Sequence, residues 1–181
     1  MTARRAPTVR ARRGSVAPGQ RLTHLDDRGA AQMVNVVDKP ESHRVAIASA
    51  AVRMSRATLA LVVAGGGKKG DALAAARLAG LSALKRTAEW IPLCHPVRVV
   101  GSGIALDADR RLPGIRIRVE VHAVDRTGVE MEAMVGASAA ALTLYDMIKG
   151  VDRAAEIVAV RLDEKRGGRS GVWRRTGTET E

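Results

Sequence analysis

The 181-residue chain contains no phenylalanine, one tyrosine and two tryptophans, so aromatic residues make up only 2% of it. Its core must therefore be built from Ala, Val, Leu, Ile and Met, and it lacks the row of aromatic rings on which single-stranded nucleic acid stacks. One cysteine excludes an internal disulfide and fits a reducing compartment. There is no C-x-x-C and no H-x-x-x-H, so the four ligands of a structural zinc site are not supplied. No apolar run reaches the roughly 18–20 residues that a membrane span needs, and the N-terminus lacks the continuous apolar segment of a signal peptide. These absences point to a cytoplasmic protein with no membrane partner.

Positive charge is abundant and unevenly placed. Of the net +11, residues 1–20 carry +5, with five Arg and no acid, residues 161–181 carry +2, and the remaining 140 carry +4. The first stretch reads as a disordered Arg-rich tail, although the same composition fits an organellar transit peptide. Residues 21–176 suit one domain, followed by a flexible 177–181. A basic nucleic-acid-binding module is the rival reading. It would have to act by charge on duplexes with a steep salt slope, and no nucleic-acid partner is expected.

Residues 32–37 (QMVNVV) and 43–54 (HRVAIASAAVRM) alternate loosely and are expected as strands. A short helix is expected over 57–63. A long one is expected over 71–90, with Asp71 as N-cap, Leu73, Leu81 and Leu84 on one face, and Pro92 as terminator. The segments 97–106 and 114–124 read as a hairpin, because Ile115, Ile117, Val119 and Val121 alternate with Arg116, Arg118, Glu120 and His122. A second long helix over 129–150 and short strands near 156–162 and 171–175 complete the pattern. The expected fold is α+β, an antiparallel sheet with two long helices packed on one face.

Several constellations carry chemistry. Gly65-Gly66-Gly67-Lys68-Lys69-Gly70-Asp71 leads into a helix N-terminus, which suits either an anion site or a solvated glycine turn. On the second long helix Asp146 and Lys149 stand at i, i+3, and Glu132 lies about 40° from Asp146 in projection. Burying such groups is how acid–base sites are made, and a solvent-facing stripe is the alternative. Glu130 and Glu132 share a face only if residues 128–132 are extended. Cys94-His95, fenced by Pro92 and Pro96 on a stiff turn, is a poor nucleophile pair, since adjacent side chains seldom face each other. A binding histidine beside a small buried residue, or plain packing, remains. Lys165-Arg166-Gly167-Gly168-Arg169-Ser170-Gly171 suits phosphate contacts or a flexible basic tail.

Taken together, KKGDALAAARLAG, KRTAEWIPLCHP, RTGVEMEA, AALTLYDMIK and KRGGRSG resemble the MoaC family, the cyclic pyranopterin monophosphate synthases of molybdenum cofactor biosynthesis. The resemblance runs from about Leu22 to Arg175. It implies a ferredoxin-like α+β fold, a homohexamer built as a trimer of dimers with active sites at subunit interfaces, and a lyase reaction. In that reaction 3',8-cyclised dihydroguanosine triphosphate rearranges to cyclic pyranopterin monophosphate and pyrophosphate leaves. By the same resemblance Asp146, Lys69 and Lys149 are catalytic. Leu93, Cys94, His95, Glu130, Met131, Glu132, Arg44, Lys165 and Arg169 contact substrate. No cofactor is implied, and Mg²⁺ can accompany the triphosphate. A lysine flanked by cations should have a lowered pKa, so Lys69 or Lys149 is the expected general acid, with Asp146 orienting or relaying the proton. Asn35 stands where the family commonly has Asp, Gly136 where Thr or Ala is usual, and Arg169 where Lys is frequent.

Overall fold

The computed structural model describes residues 24–26, 28–65 and 70–176. The expected Arg-rich tail, Lys69 and the last five residues lie outside them. The chain divides into two units between Val34 and Asn35. In the first, the Asp26 carboxylate accepts from the backbone of Arg28 and Ala30 and closes a turn that Leu25 and Ala31 bridge.

The second unit runs β1 (Ser42–Arg53), α1 (Arg56–Val63), α2 (Ala72–Leu84), α3 (Thr87–Trp90), β2 (Val99–Asp109), β3 (Gly114–Asp125), α4 (Glu130–Ile148), β4 (Glu156–Arg166) and β5 (Trp173–Arg174). The strands form one antiparallel sheet in the order β2-β3-β1-β4-β5, which bears out the α+β expectation. β1 is central and pairs along its whole length with β3, from Ser42 opposite Asp125 to Arg53 opposite Gly114.

Aliphatic packing replaces aromatics. The largest fully buried side chains are Leu84, Ile115, Ile117, Leu144, Val52, Val119, Val121 and Val129, each worth about 1.5–3 kcal/mol when fully buried. Ile115, Ile117, Val119 and Val121 are the inward set of the expected alternation on β3. On β1 the same face carries Ala46, Ala48, Ala50 and Val52, whose small side chains let α4 lie close with Ala133, Ala137, Ala140 and Ala141. α2 packs beside α4 at Gly80, where a Cβ would stand 2.9 Å from the Gly136 carbonyl oxygen and 2.5 Å from Ile104 Cδ1. Leu84 is buried, with Leu73 and Leu81 packed against the core, so α2 buries the face that its leucine spacing predicts.

Two expectations fail. Residues 32–37 form no strand. The Asn35 side chain accepts from the Val37 amide and Lys39 N donates to the Val36 carbonyl, so local turns take groups a ladder would need. The helix expected over 71–90 breaks at Lys85-Arg86. Arg86 is not helical (φ −121°, ψ 20°), and Thr87 donates its hydroxyl to the Leu84 carbonyl. The Asp71 cap holds, accepting from Leu73 N and Ala74 N at 2.9 Å each. α1 is capped by Ser55. Asp152, just beyond α4, accepts from Ser55 N at 2.8 Å and from the Thr58 hydroxyl at 3.0 Å. α1 is thereby anchored to the end of α4.

Candidate active site

Where β1 begins, β4 ends and α4 starts, the fold leaves a cleft of about 650 Å³. Six cationic side chains line it, Lys39, Arg44, Arg126, Lys165, Arg166 and Arg169, against two carboxylates, Asp38 and Glu130. That excess decides its chemistry. A second cavity of about 530 Å³ on the open sheet face also holds arginines. There, however, each has a carboxylate partner: Arg53 with Glu156, Arg116 with Asp109 at 2.5 Å, Arg118 with Glu120 at 3.0 Å and Arg161 with Asp163 at 3.1 Å. The first cleft keeps an excess of cations even with Arg166 paired to Glu164. A polyanion is drawn to the first cleft.

Its wall is a glycine turn. Gly167 and Gly168 have φ of +94° and +71°, a region L side chains rarely adopt. A Cβ on Gly167 would collide with the His43 carbonyl oxygen, and one on Gly168 with Arg44 Nη1. Arg44 is in turn committed, because its Nε donates to the Asp125 carbonyl and its Nη2 to the Arg126 carbonyl, both at 3.2 Å. It ties β1 to the exit of β3 and supports the Gly168 turn with its remaining face. Arg126 donates to the Val37 carbonyl at 2.6 Å. Lys165 donates to the Ser170 hydroxyl and stands 3.9 Å from Glu130 Oε1. A Cβ on Gly128 would occupy the Glu130 carboxylate position, so glycine lets that side chain fold back over the start of α4.

A carboxyl–thiol pair joins the first turn of α4 to the turn after α3. Glu132 is 2% exposed, and Cys94 donates its thiol to Glu132 Oε1 at 3.7 Å. Burial, above all, raises the Glu132 carboxyl to about 7, and the neighbouring Glu130 and Asp125 charges add to it. Burial first, and then the Glu132 charge, push the Cys94 thiol up to about 11. At neutral pH Cys94 is thus a thiol and a donor, not a nucleophile. Leu93, Cys94 and His95 sit half-buried on the turn after α3, which Cys94 N closes onto the Ile91 carbonyl at 3.0 Å. Met131 is half-buried beside Glu132.

Residues 33–168 match the MoaC family model. The chain belongs to the MoaC family. It is similar to proteins named cyclic pyranopterin monophosphate synthase: 50% identical to that of Brucella ovis over 153 residues, covering 84% of this chain and 93% of the relative. It is 51% identical to that of Thermomicrobium roseum over 158 residues, covering 87% and 95%. The Brucella canis protein is 50% identical over 153 residues, with coverage of 84% and 93%.

Measured against the MoaC resemblance, the fold gathers the expected residues into three groups. Arg44, Glu130, Lys165 and Arg169 line the cleft. Cys94 and Glu132 pair at the start of α4 and are not among the residues that line the cleft. Asp146 and Lys149 form an ion pair of 2.6 Å at the far end of α4, each about half exposed (54% and 52%). Glu132 and Asp146 do share a side of α4 in projection, but 14 residues separate them by roughly 21 Å along its axis. Glu130 and Glu132, both helical, point apart. The lowered lysine pKa expected for Lys149 is not found: hydrogen bonding to Asp146, and then that carboxylate's charge, raise it. Lys39, Asp38 and Arg126 were not singled out from sequence. Arg126 is the first residue of RTGVEMEA, and a cation two residues before the glycine that precedes a helix was the available signal.

Proposed function

We propose that this MoaC-family chain converts (8S)-3',8-cyclo-7,8-dihydroguanosine 5'-triphosphate to cyclic pyranopterin monophosphate with release of pyrophosphate. It is then a lyase of molybdenum cofactor biosynthesis. The observation that carries the reading is identity of 50–51% across 93–95% of relatives bearing that enzyme name. The cationic cleft supports it independently, since a triphosphate needs clustered Lys and Arg on backbone that approaches closely. Lys165 and Arg169 take the phosphates, and the Leu93–His95 turn with Met131-Glu132 takes the ring system. Glu132, with a carboxyl near 7, is matched to proton exchange at neutral pH. Lys69, Asp146 and Lys149 act at the reacting centre, Lys149 as a paired cation.

Because the Asp146–Lys149 pair stands so far along α4 from Glu132, we infer that one copy's pair completes another copy's cleft, in a homohexamer. The half-exposure of the pair supports this. Among the described residues no helix is long and apolar enough to cross a membrane; we assign the enzyme to the cytoplasm, a reading that its single cysteine supports. No resident cofactor is assigned, and Mg²⁺ enters with the triphosphate as its counter-ion.

Lys149→Ala and Glu132→Gln, each inactive alone, should regain turnover when mixed and reassociated, because some interfaces then hold one intact half from each copy. A Lys149→Ala protein that turns over normally, or a mixture that stays inactive, would remove this assignment.

A further inference from the structure

We propose that Cys94 is a positioning residue for Glu132: its thiol donates to Oε1 of the buried carboxyl and leaves Oε2 as the one oxygen through which Glu132 exchanges a proton with the substrate. The inference rests on the function proposed above and gives the only cysteine of the chain a task distinct from substrate contact.

Three observations carry it. The Cys94 Sγ lies 3.7 Å from Glu132 Oε1, within reach of a sulfur hydrogen bond. Glu132 Oε2 is buried and has no hydrogen-bond partner among the described residues, in a side chain only 2% exposed. A buried acceptor left open in this way destabilises a fold, and persists where it has work to do on a ligand. Finally, the donor is held still: Cys94 N closes onto the Ile91 carbonyl, and prolines stand two residues before and after. The other titratable groups acting on Glu132 are Glu130, at the start of the same helix, and Asp125, at the end of β3. Both are carboxylates and disfavour the ionised form, which the backbone amide of Glu132 and then the Cys94 thiol favour, so Cys94 is the side chain that does so. The coupling is mutual, since the Glu132 charge keeps the thiol protonated.

Two titrations and one rate test this. Isotope-edited infrared difference spectra against Glu132→Gln isolate the Glu132 carboxyl, and its midpoint should move to higher pH in Cys94→Ala. The pH profile of iodoacetamide alkylation reports Cys94 alone, and in Glu132→Gln it should move to lower pH. With the cyclised triphosphate, Cys94→Ala should lose kcat on the order of 10–100-fold, with KM little changed. The kinetic limb set by Glu132 should move upward with the infrared midpoint. An unmoved carboxyl midpoint, an unmoved alkylation profile, or a limb that stays while the carboxyl moves would each overturn the proposal. Circular dichroism of each variant separates these outcomes from misfolding. Both titration shifts in a protein that never turns over the triphosphate would sink the proposed reaction while leaving the pair intact, so the two readings fail separately.

Discussion

Gly168→Ala probes the cleft wall at its tightest point. The new Cβ would occupy the place of Arg44 Nη1. Arg44 can withdraw only by releasing the Asp125 and Arg126 carbonyls, each bonded at 3.2 Å. An L residue at φ +71° adds about 1–2 kcal/mol, and each bond from a charged donor contributes about 1.5–3 kcal/mol. Together they predict a loss of roughly 4–8 kcal/mol if both bonds go unreplaced, falling toward the roughly 1–2 kcal/mol of backbone strain where Arg44 finds water as a new partner. Urea denaturation measures the stability, and pyrophosphate release at varied substrate measures KM. The midpoint should fall and KM should rise, because the turn and the loop at 125–128 move apart. A variant within about 0.5 kcal/mol of wild type, with unchanged KM, would refute the idea that Arg44 clamps this wall.

Glu132→Gln should stabilise the protein by roughly 2–3 kcal/mol at pH 8 and much less near pH 4.5. The folded carboxyl holds its proton to about 7, so wild-type stability declines as pH rises from the ordinary Glu value through 7; thermal melts across that range check the sign. Asp152 has the opposite signature. Hydrogen bonding from the Ser55 amide, first, depresses its carboxyl. Its contribution is therefore present above the unfolded-state value and fades as pH falls through the folded one, and Asp152→Asn should abolish that acid limb. Gly80→Ala should destabilise by about 1–3 kcal/mol in denaturant melts despite the helix propensity it gains, because the obstacle is backbone on α4. Lys165→Ala should raise KM about 10–100-fold, the loss of one charged contact to phosphate, with a smaller effect on kcat.

Where a sequence pattern had one dominant physical cause, it translated into structure. Strict alternation in β3 became a strand with one buried face, and Asp71 capped α2 as an aspartate before an alanine-rich run should. Where side chains compete with backbone, it did not. Asn35 diverted an apparent strand, and Arg86 with Thr87 interrupted an apparent helix. β4 extends to Arg166, beyond the apolar residues that suggested it, because Lys165 and Arg166 still pair with Ala46 and Val45 of β1. The site divides in the same way. Glycine–cation clusters announced the cationic wall of the cleft, and Lys165, Arg169 and Glu130 line that cleft. A helical projection placed Glu132 and Asp146 on one side but carries no axial coordinate, so their separation along α4 was hidden. Arg44, expected as a substrate contact, uses two of its donors on backbone carbonyls, a role that no spacing encodes.

The most direct test is to incubate the purified protein with the cyclised dihydroguanosine triphosphate and quantify pyrophosphate and the pterin product together. The account predicts equimolar pyrophosphate and cyclic pyranopterin monophosphate, both strongly reduced in Lys149→Ala. No pyrophosphate from well-folded wild-type protein, or pyrophosphate without the cyclic monophosphate, would contradict it.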